Sequence, residues 1–310
     1  MSASPIRDQF AQTMLEVGAA DSDLVVLVGD ISHFKLQPFA QACPGRFYNI
    51  GICEPTMVSM AAGLAKVGLI PVAHTIAPFL LERSFEQIKL DFGYHQLGGN
   101  LITVGSAFDY ANLGCTHHCY DDFALLGNLP GTQLFYPGSA VEFDTLFRQV
   151  YRRGRLNLFR LPAIAHQQTW NNDDIIPGKA ILVQEGSDLT IITTGPHLTT
   201  ALAAQDELRQ KGFHPEIIYI HTIVPLDRDQ LLASVQKTRR ILVVEEHVFH
   251  GGLSSRVLEL VRGIRDLQFS SLCLSNEFAT HYGSYEDQCR RVGLTKEGIL
   301  RHVLEKFSKN

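Results

Sequence analysis

The sequence predicts an α/β protein built from two doubly wound, mostly parallel sheets, and three observations carry that reading. Short apolar runs alternate with segments of helical periodicity along the first half of the chain. The leading run, 24–28, has no polar alternation, as expected of a strand buried on both faces of a parallel sheet. After a polar stretch, a second series of the same kind begins near Leu189.

The elements follow in order. Ile6, Phe10, Met14 and Val17 recur at helical spacing, so the chain opens with an amphipathic helix. The strand 24–28 stops at Gly29-Asp30. A second strand at 47–50 stops at Gly51, and a helix over 55–67 carries Pro55 in its first turn. A strand at 70–74 leads to a helix over 79–92, and a strand at 101–104 leads to a long loop. Runs at 133–136 and 157–161 close the first series. The segment 162–187 holds Gln167-Gln168, Asn171-Asn172-Asp173-Asp174 and Pro177-Gly178, and reads as a linker with a hairpin. Further strands are expected at 189–194, 214–220, 241–245 and 268–273. The boundaries expected are 1–165 for the first domain, 166–188 for the linker and 189–310 for the second domain.

A chain of 310 residues is long enough for two domains of ordinary size. Its 45% apolar and 19% charged residues are those of a water-soluble globular protein. A net charge of −5, with basic residues at most in short pairs such as Arg152-Arg153, argues against nucleic acid or a membrane as partner. Arg7 and Asp8 precede any apolar segment, so no signal peptide is expected. Six cysteines in a chain of this length do not make a disulfide framework, and a reducing cytoplasm is the expected location.

The stretch Asn49-Ile50-Gly51-Ile52-Cys53-Glu54, running on through Met57 to Ala61-Ala62-Gly63, places a lone acid where strand gives way to helix. Open α/β sheets present ligand-binding groups there. The stretch resembles the signature of the thiamine-diphosphate transketolase family. Further segments fit the same family in order: Thr116-His117, Leu129-Pro130-Gly131, Thr222 to Asp227, Glu245-Glu246-His247 before Gly251-Gly252, and His281 to Tyr285. The resemblance covers the family's pyrimidine-binding and C-terminal domains. No Gly-Asp-Gly followed by Asn-Asn occurs, so the diphosphate-binding half is absent. The chain is therefore similar to the small subunit of split, two-component transketolases.

That resemblance implies the cofactors thiamine diphosphate and magnesium, with the diphosphate and the metal held by a partner subunit in an α₂β₂ heterotetramer. It implies that Glu54 activates the cofactor: a carboxyl hydrogen-bonded to the pyrimidine ring favours the imino form, whose nitrogen is the base. Phe79 would stack on the pyrimidine, and Ile31 would line the same slot. His117 would face the substrate as a hydrogen-bond donor. Arg160 would grip a substrate phosphate, with His74 and Arg83 flanking the slot. Each has a plainer alternative: an acid at a helix N-terminus for Glu54, core packing for Phe79 and Ile31, an ion pair for Arg160. Cys115, His117, His118 and Cys119 are too crowded for a usual zinc half-site, and no metal site is expected in this chain.

Departures narrow the reading. The family carries aspartate four residues before the Thr-His histidine, where it recognises a sugar hydroxyl. Here Leu113 stands at that position, and Pro55 replaces the usual His or Gln. Specialised sugar substrates are expected for a ketol transfer to an aldehyde. The alternatives are the β subunit of a 2-oxoacid decarboxylating or deoxyxylulose-phosphate-synthase-like enzyme, and a non-catalytic scaffold. The 2-oxoacid group usually has Gln-His-Ser-Gln where Thr116-His117-His118-Cys119 stands, and an intact Glu54 argues against a scaffold.

Overall fold

The computed structural model describes residues 5–105 and 107–308. It shows two mixed, mostly parallel sheets. The strands in chain order are β1 (Leu24–Val28), β2 (Phe47–Asn49), β3 (Ile70–Ile76), β4 (Gly99–Val104), β5 (Gln133–Phe135), β6 (Leu156–Leu161), β7 (Ile181–Gln184), β8 (Leu189–Thr194), β9 (Pro215–Ile220), β10 (Thr222–Val224), β11 (Arg240–Val248) and β12 (Gln268–Leu274). The first sheet runs β10-β5-β6-β4-β3-β1-β2, and the second runs β12-β11-β8-β9-β7. Only the edge strands β10 and β7 are antiparallel.

Both sheets reverse strand order at their first parallel strand. β1 pairs with β2 on one side and β3 on the other. β8 pairs with β9 and β11 in the same way. Each reversal opens a crevice beyond the strand ends, the usual ligand position in such sheets. β1, β4, β6, β8 and β9 are buried along their whole length, as expected for strands covered on both faces.

Three differences from the expected elements matter for the site. β7 lies inside the segment read as linker and pairs with β9 through Ile181↔Tyr219. β10 follows β9 after the single residue His221, yet pairs with β5 of the first sheet, so the second half of the chain completes the first sheet. The helix expected over 79–92 is broken into Ala77–Leu81, Phe85–Gln87 and a π-helix, Ile88–Tyr94. At the break Arg83 N–H bonds Pro78 O, five residues back, and Ser84 Oγ donates to Phe79 O. A side chain that takes a helix carbonyl competes with the backbone ladder, and π-type turns concentrate at functional sites.

The sheets share a core. Leu27, Met57 and Ala61 of the first half join Ile192, Ile218 and Val243 of the second in one apolar cluster. The buried residues of a second cluster come from Leu189 onward, with one exception: Ala107 and Phe108, from the loop after β4, are packed in it.

Candidate active site

The helix Glu54–Lys66 starts directly past β2. Glu54, Met57, Val58, Ala61 and Ala62 form its buried face at helical spacing, which fixes Glu54 pointing inward at the helix N-terminus. Glu54 is 1% exposed. A Cβ at Gly29 would stand 3.0 Å from Thr75 Oγ1 and 3.6 Å from Glu54 Cγ, so the acid lies over the ends of β1 and β3, at the strand-order reversal. A side chain at position 29 would crowd it.

Arg83 reaches this acid from the broken helix, with Nη1 donating to Glu54 Oε2 over 2.7 Å. The guanidinium is 43% exposed and lies 4.4 Å from the centroid of the Phe79 ring. Phe79 in turn meets the His117 ring edge-on at 5.1 Å, and Tyr110 flanks His117 at 5.9 Å. Thr116 Oγ1 lies 2.9 Å from His117 Nδ1. Burial lowers the His117 pKa below its ordinary value, which keeps the imidazole neutral and able to donate one N–H at neutral pH. Glu54, Arg83, Phe79 and His117 are thus linked through successive contacts. Ile31 is half-buried and packs on the cluster that includes Val28 and Val104.

Two of the expected site residues are enclosed. His74 is completely buried. Its Nδ1–H donates to Ile102 O at 2.9 Å, which leaves Nε2 to accept from Ser32 Oγ at 2.8 Å. Burial lowers its pKa to about 3, so it stays neutral and positions Ser32. Arg160 is also completely buried. Its Nε lies 3.4 Å from Asp122 Oδ2, its Nη2 donates to Glu246 O at 3.1 Å, and its guanidinium sits over the Phe123 and Tyr136 rings. A guanidinium enclosed in this way joins the two halves of the chain.

The sequence reading missed Arg7, Ser32 and Tyr110. Arg7 Nε donates to Ser32 Oγ at 2.9 Å, and its charge acts on Tyr110 beside His117. The one available signal was position: Ser32 follows β1, and Tyr110 follows β4, at the sheet edge that carries Glu54.

A buried carboxylate beside an aromatic face suits a flat, amine-bearing heterocycle, so the residues present fit the aminopyrimidine of thiamine diphosphate. Arg83 now makes both contacts, one to the acid and one to the ring. The magnesium ion finds no comparable fit. Among the described residues, Glu82, Cys119 and Asp121 bring ligand atoms within 4.8 Å of one another. Burial raises the pKa of all three, and Cys119 is held well above its ordinary value. A protonated thiol is a poor ligand for a hard cation that prefers carboxylate and water oxygens.

Residues 3–164 match the family model of the transketolase pyrimidine binding domain, and residues 178–299 that of the transketolase C-terminal domain. The chain belongs to the transketolase family, whose members are thiamine-diphosphate-dependent transferases. It is 31% identical to the 6-deoxy-6-sulfo-D-fructose transketolase subunit of Clostridium sp. strain MSTE9, over 97% of this chain and 94% of that one. It is 32% identical to an apulose-4-phosphate transketolase subunit of Phocaeicola vulgatus, over 98% and 97%. A solved split gene transketolase, described as an inactive β4 tetramer, superimposes with a TM-score of 0.88 at 28% identity over 97% of both chains. Against 1-deoxy-D-xylulose-5-phosphate synthases such as that of Syntrophomonas wolfei, the chain spans about half the length, 47%. Among the described residues no helix is long and apolar enough to cross a membrane.

Proposed function

We propose that this chain is the pyrimidine-domain subunit of a two-component transketolase that moves a two-carbon ketol unit from a ketose to an aldehyde. The observation that carries the reading is Glu54, buried at the strand-order reversal beside Phe79 and His117. Support comes from relatives named as transketolase subunits, which the chain covers almost end to end. We divide it at 1–165, 166–188 and 189–310, with β7 in the connection pairing into the second sheet.

Thiamine diphosphate, when bound, supplies the carbon to which the two-carbon unit is attached during transfer. Glu54 holds a hydrogen bond to the pyrimidine ring nitrogen and so sets the protonation of its amino group. Phe79 offers its face to the ring, and Ile31 closes the slot. Neutral His117 donates its N–H to a substrate hydroxyl or carbonyl oxygen. Arg7 and Arg83 are partly exposed guanidiniums beside this cluster, and they take an anionic group of the substrate. Leu113, 40% exposed, offers no partner to a sugar hydroxyl and favours specialised sugars, as the names of the relatives suggest.

The diphosphate and magnesium belong to a second subunit, in an α₂β₂ assembly with symmetric closure. The chain by itself is inactive. The test is reconstitution with the product of a neighbouring gene that encodes Gly-Asp-Gly followed by Asn-Asn. Xylulose 5-phosphate, 6-deoxy-6-sulfofructose, apulose 4-phosphate and pyruvate serve as donors. Ketol transfer that needs both chains and thiamine diphosphate supports the reading. Turnover by the single chain contradicts it, and decarboxylation of pyruvate alone moves the chain to the 2-oxoacid group.

A further inference from the structure

The second sheet has its own strand-order reversal, at β8 between β9 and β11. His197, just past β8, and Glu246, in β11, face each other there with Nε2 and Oε2 3.3 Å apart, and both are buried. β11 shifts register against β12 between Val244 and Val248, so Glu246 sits in an irregular stretch. Such bulges re-aim side chains. A crevice of this kind ordinarily takes a ligand.

Here the crevice is filled by the first domain. Phe108 N–H donates to Glu246 Oε1 at 2.9 Å, and Tyr285 O–H donates to Oε2 at 2.7 Å. Ala107 and Phe108 pack with Leu198, Val244 and Val248. Further along the same loop, Val248 N–H donates to Tyr120 O at 2.9 Å. Ala279 N–H donates to the Tyr120 hydroxyl at 3.4 Å, and that hydroxyl lies 2.6 Å from His118 Nδ1. Gly114, at φ +76, runs beneath Tyr282, where an added Cβ would stand 2.6 Å from the ring. His117 lies between these anchor points.

We infer that the ligand crevice of the second domain holds the loop 107–120 of the first domain as its ligand, with Glu246 as the positioning residue that fixes His117 over the pocket. The inference rests on the reading of His117 as substrate-facing. Glu246 supplies both acceptors from one carboxylate, so one side chain clamps the loop, through Phe108, to the helix Tyr285–Val292, through Tyr285. The C-terminal domain thereby acts on the substrate without touching it.

Glu246→Gln tests this, because an amide offers one acceptor oxygen where the carboxylate offers two. Tyr285→Phe is the milder variant, removes one donor only, and decides alone if the first does not fold. Hydrogen exchange in the purified chain should accelerate about tenfold or more over 107–120, the loss expected for a hydrogen bond to a charged group, with β1 to β4 unchanged. The titration midpoint of the His117 proton resonance should rise toward that of a free imidazole as the loop opens to water. In the two-component enzyme the KM for the sugar donor should rise about tenfold, with kcat changed less than about threefold. Unchanged exchange over 107–120 and an unmoved His117 resonance in folded variants would overturn the inference, as would a loosened loop with unaltered KM. If the loop loosens but no partner yields turnover, the transketolase reading fails and the docking of the loop stands.

Discussion

The two strand-order reversals differ in how completely the chain saturates the acid that each one carries. In the first sheet, Glu54 has one charged partner, the half-exposed Arg83, beside an aromatic face and a neutral histidine. In the second sheet, Glu246 is enclosed by Phe108, Tyr285 and His197, all from its own chain. Glu245, its neighbour, accepts Leu253 and Ser254 N–H at 2.7 and 2.6 Å and so caps the helix Leu253–Val261. Glu142 is a third enclosed acid. It accepts from Gly138 N–H, Tyr219 O–H and Trp170 Nε1–H, and lies 2.7 Å from His166 Nε2. The same residue type at similar depth serves structure where the chain saturates it, and is available for chemistry where its partner can leave.

That contrast can be broken first at Glu54. Glu54→Gln keeps an acceptor for Arg83 but cannot serve as the cofactor's acid–base partner. Turnover of the two-component enzyme should fall by about 10²- to 10⁴-fold. The Tm should move by less than about 2 °C, because the amide still accepts from Arg83, whose guanidinium is half-exposed to water. Steady-state assays and calorimetry on the same preparation check both, and an active or unfolded variant would place Glu54 with the structural acids.

Glu142→Ala should show the opposite signature. It leaves the Tyr219 hydroxyl and the Trp170 indole without their acceptor inside the protein, and the Gly138 amide with the Tyr219 oxygen alone. The free energy of unfolding should drop by about 3–5 kcal/mol, read from urea denaturation. The fraction that folds should retain the wild-type KM.

Titration sharpens the comparison, since burial acts with opposite sign on a histidine and on a carboxylate. His74, lowered to about 3, contributes stability that is complete above the ordinary pKa of 6.5 and is lost as pH falls toward 3. Glu245, raised to about 7 by burial, contributes stability that is complete below 4.5 and is lost as pH rises through 7. Relative to wild type, His74→Gln should therefore become less destabilised by about 2 kcal/mol on going from pH 7.5 to pH 5. Glu245→Gln should become more destabilised by a similar amount, about 2 kcal/mol, over the same change. Urea unfolding at the two pH values measures both slopes, and parallel slopes would mean that burial is not their cause.

The smallest expected effect is at Leu113. An aspartate there would restore a carboxylate partner for a sugar hydroxyl. Leu113→Asp should shift the ratio of kcat/KM toward pentose phosphates by about tenfold, the scale of one well-placed hydrogen bond. An unchanged ratio would remove Leu113 from the account of specificity.

The sequence by itself determined the alternation of strand and helix and the placement of Glu54 at a strand–helix junction. Both depend on near neighbours: apolar runs such as Leu24–Val28, and the buried face Glu54, Met57, Val58, Ala61, Ala62. Phe79 and His117 were singled out by their offsets within recognisable stretches, and the fold brings their rings into contact. Tertiary structure decided the rest. Whether Arg160 meets a phosphate or Asp122, and whether His74 meets substrate or Ile102 O, depends on what packs over the strand end. The bond from Phe108 to Glu246 spans 138 positions, and no local period encodes it. The same holds for β10, which leaves β9 after one residue to join the other sheet. Backbone preference and hydrophobic period act within a few residues, whereas the partner of a buried polar group is chosen by the fold that removes it from water.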